Sequence, residues 1–248
     1  WLKLLTKMKL ILDTNIWYEF ETNSVFSDKS LEKNIYVTYL NYFEIFKSKK
    51  IISNPEFFRK MFIEMDKYQK IFEPPFVYVA KLHKFYHFNV LTELKDQIEF
   101  IIRFKNGDYI DPAKEEEFKD YVNHINENFN KLADDFNKDA KIIKSKIKNL
   151  NKHRAKNSIN NTTNFISFLV NHATKQEITN FDIIKNDLLT SALDTFLKKI
   201  EVGELVMKTN DINDFLMLSY VQPGDKYYTK EQKWEKLIIE SGKSDYLF

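Results

Sequence analysis

The sequence predicts an α/β protein in which both chain ends build one small parallel sheet flanked by helices, with a large all-helical insertion between them. An apolar run, Lys9–Leu12, ends at Asp13, as buried parallel strands often do. Short strand and helix patterns return near the end of the chain, whereas helical spacing of apolar residues dominates the middle. We therefore divide the chain into a core, 1–50 and 205–248, and an insertion, 51–204.

Composition excludes several classes of protein. The 248 residues contain no cysteine, which rules out disulfides, thiolate zinc sites and thiol catalysis and suits a reducing, cytoplasmic setting. Only 4 glycines occur and no GxGxxG or GxxxxGK[ST] pattern exists, which disfavours ATPases and dinucleotide enzymes. The sequence contains no run of 18 apolar residues, so it predicts no membrane span. The net charge is only +2, so any nucleic-acid-binding surface must be a local patch.

The first elements follow from short local signals. Asn15–Phe20 is expected to be helical, and the β-branched segment Ile35–Val37 predicts a second strand. Thr38 is placed to cap the next helix, Tyr39–Lys47. Asn54-Pro55 is a typical helix start, because proline suits the first helical turn.

The middle and the end of the chain are assigned in the same way. From Asp111-Pro112 to Leu150 apolar residues recur every three or four positions, which predicts one long helix. Its apolar stripe suits either core packing or an interface with a protein partner or a second copy. Near the end, Lys226–Thr229 predicts a strand and Glu231–Glu240 a helix.

Carboxylates in apolar surroundings mark a candidate site. Asp13 follows the first strand, Glu44 and Asp214 lie within apolar helices, and Glu231 closely follows the last strand. Burying a lone carboxylate is costly unless it meets a cation or hydrogen-bond donors. Sites in parallel sheets form beyond the carboxyl ends of the strands. Oxygen ligands without Cys or His favour Mg²⁺ or Mn²⁺.

Each of these acids also has a simpler interpretation. Asp13 suits a helix cap, Glu44 a partner in a core ion pair, and Glu231 an acid at a helix N-terminus. The sequence leaves these alternatives open.

Three segments resemble PIN-domain nucleases. LILDTNIWYEF resembles their opening strand and helix, TYLNYFEIF their second acidic segment, and NDINDFLMLSYVQPGDKYYTKEQKW their third acidic helix and following strand. The resemblance is confined to the two chain ends. It implies a quartet of catalytic, metal-binding acids and two supporting polar residues. The acids are Asp13, Glu44, Asp214 and Glu231, and the supporting residues are Asn15 and Thr229.

The sequence also departs from that family. The insertion is much longer than a compact PIN domain carries, and the fourth acid is Glu231 where aspartate is commoner. Asp211 lies one helical turn before Asp214, so either can be the third ligand. We prefer Asp214, because Asn210-Asp211 also suits a helix cap.

The resemblance implies a metal-dependent endonuclease that hydrolyses phosphodiester bonds, usually in RNA, and that serves as a toxin or in defence. Two alternatives remain open. One is a DNA-directed nuclease on the same frame. The other is a non-catalytic binding module that acts through its helical insertion.

A basic segment could contact the nucleic acid. Residues 141–156 read KIIKSKIKNLNKHRAK, with seven Lys or Arg and no acid. Such a run can follow a phosphate backbone, and it suits a solvated helix end equally well. The candidate contacts are Lys141, Lys144, Lys148, Lys152, Arg154 and Lys156. His83 and His87 have the spacing of a zinc pair, but no third ligand accompanies them, so a packing role is favoured.

Overall fold

The computed structural model describes residues 8–83, 89, 92, 94–154, 157–175 and 181–248. It is an α/β structure built on a four-stranded, all-parallel sheet. The sheet separates two hydrophobic cores, because alternate residues of a strand point to opposite faces. Ile11 packs into one core, whereas Leu10 and Leu12 pack into the other.

The strands run in the order β3-β2-β1-β4. Their bounds are Leu10–Leu12 for β1, Ile35–Thr38 for β2, Gln69–Ile71 for β3 and Lys226–Tyr228 for β4. Leu12 pairs with Tyr228, so the carboxyl ends of β1 and β4 are level. This register places Asp13 and Thr229, the next residue of each strand, side by side.

The prediction that residues 51–204 are all-helical is wrong at β3. Gln69 and Ile71 pair in parallel with β2, so the sheet extends beyond the predicted boundary at residue 51. The strand has three residues at the sheet edge, and of these Gln69 is exposed and only Ile71 is buried. A segment so short and so little buried has neither the apolar run nor the alternation that marks a strand.

The helices before the long helix pack into both cores, on opposite faces of the sheet. They are α1 Thr14–Trp17, α2 Tyr39–Phe46, α3 Lys50–Ser53, α4 Pro55–Met65, α5 Pro75–Leu82 and α6 Lys95–Lys105. The later helices are α7 Glu115–Lys146, α8 Leu150–Arg154, α9 Ile159–Thr174, α10 Asp187–Glu201, α11 Thr209–Met217 and α12 Gln232–Glu240. Helix α7 packs on α10 and α11, and α10 packs on α12. Among the described helices, none combines the length and apolar character that crossing a membrane requires.

The long helix α7 is shorter than the sequence predicts. It ends at Lys146, where Ile147 adopts an extended conformation with φ −78° and ψ 113°. Its 32 residues make it roughly 48 Å long. The Oδ1 of Asn149 accepts a hydrogen bond from the backbone N–H of Lys152 at 2.9 Å, so Asn149 caps a new helix instead of continuing the old one.

Asn41 ties the first two strands to helix α2. Its Nδ2 donates to the carbonyl of Leu12 and to the hydroxyl of Thr14, both at 3.1 Å. Its Oδ1 accepts from the backbone N–H and the hydroxyl of Thr38 at 2.8 and 2.9 Å. Thr38 caps α2 as the sequence predicts. One fully buried amide therefore fixes the end of β1 relative to the start of α2.

Replacing this amide should destabilise the protein. Asn41→Ala should lower the free energy of unfolding by about 2–4 kcal/mol, because it leaves buried backbone groups of Leu12 and Thr38 without partners. Urea denaturation measures the change. Asn128→Ala removes an exposed amide from α7 and is the control. Equal effects of the two substitutions would contradict the role of Asn41.

Candidate functional site

Four carboxylates from separate elements converge at the carboxyl edge of the sheet. Asp13 follows β1, Glu231 follows β4, Glu44 lies on α2 and Asp214 on α11. The charge of Asp214 interacts with those of the other three acids, and the charge of Asp13 reaches Glu44 and Glu231 as well. The structure thus brings together all four acids that the sequence singles out.

Asp13 is buried and held by neutral donors. Its Oδ2 accepts a hydrogen bond from the hydroxyl of Thr229 at 2.6 Å and from the side-chain amide of Asn15 at 3.1 Å. The Thr229 hydroxyl in turn accepts from the backbone N–H of Glu231 at 3.0 Å. The two polar residues proposed as supports therefore both contact Asp13, and Thr229 links it to the start of α12.

Asp211 and Asp214 have different surroundings. Asp211 is 1% exposed, forms an ion pair with Lys233 and accepts from the backbone N–H of Lys208 at 2.7 Å. It therefore stabilises the start of α11, where it is the third helical residue, and the helix begins before the predicted cap at Asn210-Asp211. Asp214 faces the other acids, and its Oδ2 accepts from the indole N–H of Trp234 at 2.7 Å.

Glu44 is half-buried and lies beside an amide that sequence reasoning missed. Burial raises the pKa of Glu44, whereas the Thr14 hydroxyl and the Asn213 side chain favour its charged form and act in the opposite direction. Asn213 is 2% exposed, yet neither its Nδ2 nor its Oδ1 makes a hydrogen bond of full geometry with a described residue. The sequence signal that could have identified Asn213 is the presence of an amide residue next to Asp214 in an otherwise apolar helical segment.

Burial and mutual repulsion both oppose ionisation of this cluster. The pKa of Asp214 is raised to about 9, chiefly by burial and then by the charges of Asp13, Glu231 and Glu44. Burial likewise raises the pKa values of Asp13, Glu44 and Glu231. A bound cation or protonation would relieve such crowding of like charges.

Lys47, just after α2, is the cation of the described residues whose charge acts on both Glu44 and Asp214. Its Nζ lies 5.1 Å from the ring centre of Phe43 and 4.8 Å from that of Phe129. Phe129 belongs to the long helix α7, so the insertion reaches the acid cluster. Burial lowers the pKa of Lys47, whereas the two carboxylates act in the opposite direction.

The chemistry of the cluster suits a hard divalent cation. All the converging donors are carboxylate oxygens, which Mg²⁺ and Mn²⁺ prefer. Among the described residues, no group of three or more His, Asp or Glu side chains lies in an arrangement that would hold a metal directly. Carboxylate oxygens and their negative charge suit a divalent metal ion. The described side chains are not arranged as the coordination sphere of such an ion.

The basic segment is separate from the acids. Lys141, Lys144, Lys148 and Lys152 are exposed and form no ion pair with another described residue. Lys146, Lys148 and Lys152 line an open concavity of about 690 Å³ with His153. Lys146 lies 17 positions after Phe129 on the same helix, roughly 25 Å along its axis. Lys156 and the side chain of Arg154 lie outside the described residues.

His83 is a packing residue in the structure. Its Nδ1 pairs with the carbonyl of Val79 at 2.7 Å, and its Nε2 accepts from the backbone N–H of Asp182 at 2.8 Å. The ring also stacks on Phe181. Both ring nitrogens are thus engaged, and His87 lies outside the described residues.

Comparison of the chain with protein-family models, with curated proteins and with solved structures finds no match in any of the three. A functional assignment must therefore come from the side chains themselves. The carboxylate cluster is the most unusual chemical feature that they form.

The acid cluster should make the metal-free protein less stable as the pH rises. Asp214 has a pKa of about 9 in the folded state and of ~3.9 in the unfolded state. Between these pH values the folded state keeps a proton that the unfolded state has lost. Its contribution is fully present below about pH 4 and is lost as the pH rises towards 9. Asp214→Asn cannot ionise, so its melting temperature should exceed that of the wild type by at least about 5 °C at pH 8 and by much less at pH 4.5. Melting curves in EDTA measure this, with the exposed-site variant Glu235→Gln as control. A gap between Asp214→Asn and wild type that does not change with pH would contradict the assignment.

Proposed function

We propose that the protein is a PIN-like, divalent-metal-dependent endoribonuclease. The observation that carries the proposal is the convergence of Asp13, Glu44, Asp214 and Glu231 at the carboxyl edge of a parallel sheet. This is the edge at which α/β proteins bind ligands. Crowded carboxylates cost stability, so their convergence is better explained by a cation that they serve than by the packing of the fold.

The four acids would hold Mg²⁺ or Mn²⁺. A bound divalent ion would lower the pKa of a water molecule and offset the negative charge that develops on the reacting phosphate. Thr229 and Asn15 fix the orientation of Asp13 by donating to its Oδ2. Trp234 does the same for Asp214. These donors leave the acids little freedom to turn away from the site.

The cationic groups of the chain would bind the substrate. Lys47 stands against the acids and offers a positive charge to a phosphate of the strand. The surface formed by Lys146, Lys148 and Lys152 would hold the same strand several nucleotides away, since an acidic site alone repels RNA. In this scheme the sheet edge carries out the chemistry and the insertion captures the substrate.

Cleavage should depend on the acid quartet and on a divalent metal. Asp13→Asn and Asp214→Asn should each lower the turnover of single-stranded RNA in Mn²⁺ at least about 100-fold, because each removes a charge from the proposed metal site. Gel assays with total RNA and with plasmid DNA, each in Mn²⁺ or in excess EDTA, provide the measurement. The exposed-site variant Glu235→Gln should cleave as the wild type does.

The Asp211→Asn variant tests whether Asp211 or Asp214 is the third ligand of the proposed metal site. This variant should lose stability, because Lys233 then lacks its partner, yet it should retain cleavage at temperatures where it is folded. Cleavage that persists in EDTA would contradict the metal mechanism. Cleavage of DNA but not RNA would contradict the substrate class, and metal binding without any cleavage would favour a binding module.

The basic surface should govern binding and not the chemical step. Replacing Lys146, Lys148 and Lys152 together with Gln should weaken RNA binding and flatten its salt dependence, by about 0.7 logarithmic units of slope for each phosphate that the variant no longer neutralises. Turnover at saturating RNA should change less than affinity.

A variant with the same change in charge is the control. Lys29, Lys95 and Lys236 are exposed and scattered, and their joint replacement with Gln should leave the slope nearly unchanged. The RNA affinity of both triple variants, measured as a function of salt concentration, tests this prediction. Identical slopes would mean that residues 146–152 are only a solvated helix end.

A further inference from the structure

The long helix α7 exposes large apolar side chains on one of its faces. The side of the helix that contains Val122 and Ala140 is buried against the rest of the protein. On the other side Tyr121 is 60% exposed, Leu132 43% and Ile142 54%. Covering these three side chains would remove apolar surface from water, which is favourable.

Two charged residues complete this face. Glu117 lies one helical turn before Tyr121, Lys146 lies one turn after Ile142, and both are exposed. Each residue advances an α-helix by about 100°, so these four residues and Leu132 lie within roughly 80° of arc. We call them the outer face of α7. The outer face begins with an acid, ends with a base and carries apolar side chains between them.

The order of residues along the outer face is complementary to itself. Glu117 and Lys146 lie equally far from a point just before Leu132. The same point lies midway between Tyr121 and Ile142. A second copy related by a two-fold axis through this point would run antiparallel, with each acid opposite a base and each tyrosine opposite an isoleucine. Every such contact would occur twice, as in other two-fold symmetric interfaces.

Charge favours this antiparallel arrangement. The first turn of α7 contains Glu115, Glu116 and Glu117, and the last turn contains Lys144 and Lys146. A parallel pair of helices would place acids next to acids and bases next to bases. The helix dipole favours the same order of charges within a single helix. It does not explain the exposed apolar side chains between the two ends, whereas a second copy explains both features.

The size of the outer face predicts a weak dimer. A helix of 32 residues that contacts its partner along a strip about 10 Å wide buries roughly 500 Å² per copy. Specific interfaces bury at least about 1,000 Å² in total. The expected interface is therefore at the small end of that class, and we expect a dissociation constant in the micromolar range.

We propose that the outer face of α7 joins two copies of this chain as an antiparallel, two-fold symmetric dimer. The proposal concerns a surface away from the acid cluster and does not depend on nuclease activity. Lys146 also belongs to the basic surface, whereas Lys148 and Lys152 lie beyond the end of α7 and stay outside the pairing.

Sedimentation velocity of the full chain tests the dimer. Across the micromolar range the mass should rise from 29.8 kDa towards twice that value. Glu117→Lys and Lys146→Glu should each raise the dissociation constant at least about tenfold, because each places like charges opposite one another twice. The double variant Glu117→Lys/Lys146→Glu exchanges the two charges and should restore the wild-type value. Glu235→Lys makes the same change in charge at an exposed site on α12 and should dimerise as the wild type does.

Cross-linking tests how the two helices are aligned. The chain contains no cysteine, so Leu132→Cys provides a single thiol next to the proposed two-fold axis. A short bismaleimide reagent should link two copies of this variant. It should not link two copies of Phe168→Cys, whose site on α9 is 64% exposed.

The outcomes are decisive for the outer face and independent of cleavage. A chain that stays monomeric throughout the micromolar range overturns the second copy as the occupant of this face and leaves the face to a different protein. A dimer that persists in both single variants, or that the double variant does not restore, means that the interface lies elsewhere and also overturns the proposal. Circular dichroism establishes that the variants are folded.

Discussion

Like-charged carboxylates that share a partly buried space repel one another, and the arrangement around the sheet edge follows from that constraint. Burial, and then the charges of the other three acids, raise the pKa of Asp214 to about 9. Neutral donors rather than cations hold the acids in place: Thr229 contacts Asp13, and Trp234 contacts Asp214. Both donors come from the end of the chain, and Thr229 lies 216 positions after Asp13, the acid that follows β1. A cluster that carries this cost is a candidate functional site.

The insertion takes part in building the site. The side-chain amide of Asn137, on α7, exchanges two hydrogen bonds of 2.9 Å with the backbone of Met207, just before the helix that carries Asp214. Eight residues earlier on α7, Phe129 packs against Lys47. A single long helix can thus fix one acid and position one cation, because its apolar face packs against the rest of the protein.

Local sequence signals predict the parts of this fold that depend on neighbouring residues. The apolar run before Asp13 gives β1, Thr38 gives the start of α2, and the converging acids follow because parallel strands end at one edge. The strand at Gln69–Ile71 could not be predicted, since among the described strands it pairs with β2 alone and only Ile71 of its three residues is buried. The role of Asp211 depends on Lys233, and that of Lys47 on Phe129, which lies far along the chain. Contacts between distant segments leave no periodic signal, so the burial of the Asn213 amide became visible only in three dimensions.

Proton release on metal binding tests the central claim most directly. If the acid cluster is a metal site, Mn²⁺ must displace the protons that the raised pKa values retain near neutral pH. Calorimetric titration at pH 7 in two buffers of different ionisation enthalpy measures both the affinity and the number of protons released. The account predicts saturable binding with release of a substantial fraction of a proton or more, and loss of that release in Asp214→Asn. Absence of Mn²⁺ binding, or binding of equal strength and proton count in wild type and Asp214→Asn, would contradict it.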